Sequence, residues 1–234
     1  MNLLLLAISK KYGGLCVAGI DYDTLKYIRI GHANNLDSPE CGPIQPHELN
    51  INGRQCQILD VINIDVKKMV KNGCQIENYN LIRINYYVKR VKKSEISEIY
   101  KKIKRYNYVF YNTRKKLYLD EIKNVKRSLC FIKVKDLSIE RRQNGKQMPA
   151  PYASFTYNER RYNDLSVTDA LVCAYPNPYC KTDLNGTKLY AHLGNHSKAY
   201  IMVSLPYDKW SLDNNGFFKY VSGVIIVDNT KSKR

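Results

Sequence analysis

No stretch of the sequence is apolar enough, for long enough, to cross a bilayer as a helix. The apolar start, residues 1–8, has no basic segment ahead of it, is short, and runs into Ser9-Lys10-Lys11 where a cleavage site would fall. It is expected to be a buried first strand, not an export signal. Recognisable catalytic patterns are missing too: there is no glycine-rich phosphate loop, no G-x-S-x-G elbow and no H-E-x-x-H helix. None of the four histidines lies in a base or nucleophile context, so no catalytic residue and no cofactor is assigned and the chain is not expected to be an enzyme. Seven cysteines, an odd number without a tight framework, point to reduced thiols and a cytoplasmic setting.

Acidic residues are scarce: 21 Asp and Glu stand against 38 Lys and Arg, a formal net charge of +17. Such an imbalance sets up a positive potential that attracts phosphates and releases their condensed counterions, so nucleic acid is the first partner to expect. An anionic membrane surface is the second, and no membrane is assigned. The same excess also arises from composition alone, because Lys, Asn, Ile and Tyr are all abundant. A hydrophobic fraction of 44% and a charged fraction of 25% are those of a globular chain, with only the polar tail 228–234 expected to be loose.

The first half reads as five short strands. Apolar runs at 3–8 and 15–20 flank Gly13-Gly14, a hairpin signal, and 27–30, 56–66 and 80–88 follow with extended patterning. Five strands in under 90 residues match the size of an OB-type barrel. The middle differs. Ile96, Ile99, Tyr100 and Ile103 have helical spacing behind Ser94 as cap, and a second helical or mixed stretch is expected over 114–127. Residues 89–127 hold 14 basic and 4 acidic side chains, so a net +10 of the +17 lies in this connector. Strand patterning resumes at 129–134, 153–157, 161–167, 200–205 and 217–227, again five. The fold expected is mainly β with a helical connector: two OB-like β-barrels, at 1–88 and 128–234, joined through 89–127.

Candidate ligand contacts follow from residue type and placement. Lys10 and Lys11 flank the first turn. Arg29, beside Tyr27 on a short strand, can hold a phosphate or stack on a base, and a structural ion pair would use the same arginine. Gln75, Glu77 and Asn78 can read base edges or cap a turn. Thr168 and Asp169 can bind a ligand hydroxyl or cap a short helix at 170–173. In the connector, Lys101, Lys102, Lys104, Arg105, Arg114, Lys115 and Lys116 interleave with Tyr106, Tyr108 and Tyr111, the cations and aromatic faces of a single-strand groove or of a solvated edge. Cys173, Cys180, His192 and His196 form C-x6-C-x11-H-x3-H, but the cysteine spacing exceeds the usual gap of roughly two to four residues and Pro176 and Pro178 intervene, so no metal is assigned.

Several runs resemble the bacterial dual OB domain family: Leu6-Ala7-Ile8-Ser9-Lys10-Lys11, the run 14–21, Tyr27-Ile28-Arg29-Ile30, Leu59-Asp60-Val61-Ile62 and Gln75-Ile76-Glu77-Asn78-Tyr79 in the first half. Ser128-Leu129-Cys130-Phe131-Ile132, Phe155-Thr156-Tyr157, Tyr162, Val167-Thr168-Asp169 and Val203-Ser204-Leu205 continue it in the second. Tyr27 stands where the family carries tryptophan, and Ile30 and Ala170 where it carries proline. The resemblance implies two OB-like barrels in one unit, a setting in anti-phage conflict, and nucleic-acid or nucleotide sensing. Beside a nucleic-acid-binding module stand two alternatives: a sensor that pockets a nucleotide or modified base between the barrels and relays occupancy to an effector protein, and a protein-interaction scaffold.

Overall fold

A computed structural model of the chain describes residues 1–33, 41–142, 150–174, 181–182, 189–190 and 198–227. The first barrel is built from β1 (Asn2–Lys11), β2 (Gly14–Asp21), β3 (Tyr27–Gly31), β4 (Asp60–Lys68) and β5 (Asn78–Arg90). Its closed order is β1-β2-β3-β5-β4, with β3 and β5 parallel and the other neighbours antiparallel. The second uses β6 (Leu129–Arg142), β7 (Ala150–Tyr157), β8 (Arg160–Val167), β9 (Lys198–Ser204) and β10 (Tyr220–Val227). Its order, β6-β7-β8-β10-β9, is the same circuit, with β8 and β10 the parallel pair. The protein is therefore mainly β, with two five-stranded barrels of OB type.

Alternation explains how the barrels join. On β6 and β9, Cys130, Ile132, Val134, Ala199, Ile201 and Val203 fill the second barrel, while Leu129, Phe131, Tyr200 and Met202 point outward into the first barrel's core cluster. The strand β1 is apolar on both faces because one lines its own barrel and the other meets β10. At Gly223 of β10 an added Cβ would lie 2.0 Å from the Leu6 carbonyl oxygen, so only glycine permits this backbone approach.

The connector holds α1 (Ile96–Lys102) and the single turn α2 (Leu119–Ile122). Tyr100 of α1 packs edge-on against Phe131 and Tyr200, at centroid separations of 6.0 and 5.3 Å. Three local expectations are corrected. Glu95, not Ser94, precedes the helix, and its carboxylate accepts the Lys92 amide because Ser94 lies inside the turn. The strand expected from Cys56 begins at Asp60, after Leu59 turns at φ +78°. The last strand breaks before Tyr220, since Phe217–Phe218 pairs instead with Lys116–Leu117 of the connector. The tail 228–234 lies outside the described residues.

Gly223→Ala is expected to lower stability by about 2–3 kcal/mol, through a backbone clash that neither barrel can relax without parting from the other. Urea denaturation checks this, and an unchanged midpoint would show that the two strands are not in contact.

Candidate functional site

Short polar segments at the ends of β3 and β5 form the centre of the junction between the barrels. The Glu77 carboxylate accepts hydrogen bonds from the Ser128 amide (2.6 Å), the Leu129 amide (2.9 Å) and the Ser128 hydroxyl (3.1 Å), capping the first residues of β6. Gln75 donates to the Leu205 carbonyl at 3.2 Å and accepts from Asn78. Tyr27 accepts the Phe131 amide through its hydroxyl at 3.0 Å, and burial raises its pKa far above the ordinary phenol value. Gln75, Glu77 and Asn78 are buried; Gln75 and Glu77 bond across the junction, and Asn78 bonds Gln75 and Arg29 on the first barrel's side. Here the capping reading prevails over base reading, because no edge of Glu77 or Asn78 is left open to an incoming ligand.

Arg29 behaves differently. It is 4% exposed, gives one terminal nitrogen to the Asn78 side-chain oxygen at 3.2 Å and the other to the Ser128 carbonyl at a long 3.5 Å, and its Nε has no acceptor. Both partners are neutral, and among the described residues no carboxylate stands within ion-pair distance of it.

Arg29 lines a cleft of about 620 Å³ between the barrels. From the first barrel the cleft takes Ser9, Lys10 and Lys11 at the end of β1, Cys16, the segment Cys41 to Pro43, and Asn72 and Gln75 from the loop before β5. From the second it takes Thr168 after β8, Ser204, and Pro206, Tyr207 and Trp210 from the loop before β10. Both barrels thus present their 4–5 loops to one space, and these are the loops OB barrels use for ligands. The loops touch: an added Cβ on Gly73 (φ +53°) would lie 2.3 Å from the Tyr207 ring, and Asn72 donates to the Tyr207 carbonyl at 2.8 Å. Three cations line the cleft against one carboxylate, Asp208, which is already occupied by the Ser211 amide at 2.8 Å.

The connector's cations divide into two groups. Lys101 pairs with Glu98 on α1, Lys104 lies over Tyr106 and Arg105 over Tyr100, and neither these three nor Lys102 lines the cleft. Lys116 instead reaches over both Tyr118 (4.5 Å) and Phe218 (5.9 Å), and Phe218 lies 6.0 Å from Trp210 on the cleft rim. Arg114 extends this ridge over Tyr118 at 5.2 Å while bonding Glu121, and Lys115 gives its carbonyl to the Lys219 amide. Tyr106 accepts the Tyr157 hydroxyl through its carbonyl, and Tyr108 lies under Arg160.

Thr168 accepts the Lys10 amide through its carbonyl at 2.8 Å. Asp169 caps the turn α3 (Ala170–Cys173), accepting the Leu171 and Val172 amides on one oxygen and the Val224 amide on the other. It is a helix cap, not a ligand hydroxyl site. Of the four residues in the Cys/His pattern, Cys180, His192 and His196 lie outside the described residues. Sequence reasoning missed Asn72, Tyr207 and Trp210. The available signal was that Trp210 is the sole tryptophan and sits in a polar, proline-led loop.

A family model described as dual OB-containing domain matches residues 1–224. No curated protein and no solved structure matches the chain.

Burial pushes Asp169 up to about 6 from its ordinary 3.8, against the pull of three amide donors. The folded chain therefore binds this proton more tightly than the unfolded one. Its contribution is greatest below pH ~4 and falls as pH rises through ~6, by on the order of 3 kcal/mol. Stability measured against Asp169→Asn is expected to decline over that window, and a flat difference would contradict the assignment.

Proposed function

The chain belongs to the dual OB-containing domain family, and from that premise we propose that it is a nucleic-acid-binding module that draws a single-stranded segment into the cleft between its barrels. One observation carries the reading: the ligand-binding loops of both barrels converge on one cationic cleft. OB barrels hold strands by combining cations that track the backbone with aromatic faces that stack bases. Lys10 and Lys11 supply the first at the cleft, and Trp210, 57% exposed on its rim, supplies the second. The ridge of Phe218, Lys116, Tyr118 and Arg114 gives the strand a path outward.

The role proposed is binding, not catalysis, since the sequence holds no recognised catalytic pattern. The bacterial anti-phage setting accompanies this reading on the strength of the family resemblance. No helix among the described residues is long and apolar enough to cross a membrane.

Because Trp210 is the sole tryptophan, its emission reports on the rim directly. Titration with short single-stranded DNA or RNA is expected to quench it, with affinity falling steeply with salt. Trp210→Ala should weaken binding roughly 5- to 100-fold. Lys10→Glu with Lys11→Glu should lower the log-log salt slope by about 1.4. Lys101→Glu with Lys102→Glu on α1 should change affinity less than about threefold. Dominance of the α1 pair, with no quenching, would move the interface to the connector.

A further inference from the structure

A buried guanidinium without an anion is costly, because the transfer of charge out of water is compensated only by good partners. Arg29 has two neutral acceptors, one of them at 3.5 Å, and an idle Nε, yet it faces a cleft large enough for a nucleotide-sized molecule. The carboxylate nearest in function, Glu77, is saturated by Ser128 and Leu129. Lys10 and Lys11 stand at the same cleft, so a ligand reaching Arg29 meets three cations, more than a single carboxylate requires. The hydroxyl residues Ser9, Thr168 and Ser204 also line the cleft, and Trp210 offers an exposed ring there, whereas the Tyr207 ring is packed between Phe217 and Gly73. This is the donor set of a phosphate with a base attached: planar N–H groups suited to phosphate oxygens, hydroxyls suited to a ribose, and an aromatic face for the base.

We infer that the cleft between the barrels is a selective site for a nucleoside 5′-phosphate, in which Arg29 binds the phosphate and Trp210 stacks the base. The phosphate belongs either to a free mononucleotide or to the phosphorylated 5′ end of a strand. This deepens the strand-binding reading and rests on the same cleft, but it makes a separate demand, that a terminal phosphate and not merely a backbone reaches Arg29.

The test follows the Arg29 Nε–Hε resonance by NMR, together with the melting temperature, in 0.5 M salt. The wild-type protein is titrated with adenosine monophosphate, adenosine, inorganic phosphate, and a hexanucleotide with either a 5′-phosphate or a 5′-hydroxyl. Adenosine monophosphate or the phosphorylated strand is expected to move the Arg29 resonance and, at about a hundredfold over its dissociation constant, to raise melting by roughly 5 °C. Adenosine and the 5′-hydroxyl strand should do neither. A response to the mononucleotide identifies a free ligand, and a response confined to the phosphorylated strand identifies a strand end. Arg29→Lys keeps the charge but loses the fork, and should weaken the responding ligand at least about thirtyfold. Since that variant also disturbs the junction, the wild-type resonance decides the matter. An unmoved Arg29 signal with every phosphate ligand overturns the inference. Salt-sensitive quenching of Trp210 by the 5′-hydroxyl strand at low salt would then leave the strand-binding reading standing without it.

Discussion

The carboxylate of Glu77 holds the two barrels in register. It is buried, reaches across the junction, and satisfies two backbone amides at the start of β6 that the second barrel's own ladder leaves open. Leaving such groups unpaired costs roughly 1–3 kcal/mol each, so the second barrel is seated only where the first presents this residue. Gln75 and Asn72, from the same loop, bind the Leu205 and Tyr207 carbonyls and draw in the second barrel's loop before β10. Two OB barrels that could pack in many ways are thereby fixed with their 4–5 loops facing one another. The apolar contact of Leu129, Phe131, Tyr200 and Met202 supplies adhesion, and the polar junction supplies position.

That position shapes the electrostatics. Several connector cations already lie over tyrosine rings or beside glutamates. Of the three cations that line the cleft, Lys10 and Lys11 are exposed and Arg29 is buried, where its charge acts more strongly than in bulk water. In the proposed binding mode, lysines at the end of β1 govern the rate and salt dependence of approach, while the buried arginine governs what is retained. Most of the net charge lies in the connector, yet only Lys116 and Arg114 carry it toward the cleft, along the ridge leading to Trp210.

The barrels were legible in the sequence because each strand leaves a local trace: alternation on β6 and β9, a two-faced apolar run on β1, and Gly13-Gly14 at the first turn. The two-barrel architecture came from counting such runs and from the resemblance. What escaped was set by pairings distant in sequence. Nothing near Glu77 announces that its partners are Ser128 and Leu129, and so a buried inter-barrel cap read equally as a base-reading cluster. Phe217 looked like the start of the last strand, but it pairs with Leu117, a hundred residues earlier. Arg29 was visible as a candidate, whereas its lack of an anion became visible only in three dimensions. Trp210 and Tyr207 were missed because their loop has no periodicity, and its importance lies in meeting Asn72 and Gly73 across the cleft.

The central claim is that one cleft, shared by both barrels, is where ligand enters. Hydrogen–deuterium exchange of the whole chain with and without a single-stranded oligonucleotide tests it most directly. The account predicts slowed exchange at 9–11 and 72–75 in the first barrel and at 206–211 in the second, appearing together at one ligand concentration. Protection confined to the connector at 101–105, or to one barrel alone, would contradict it.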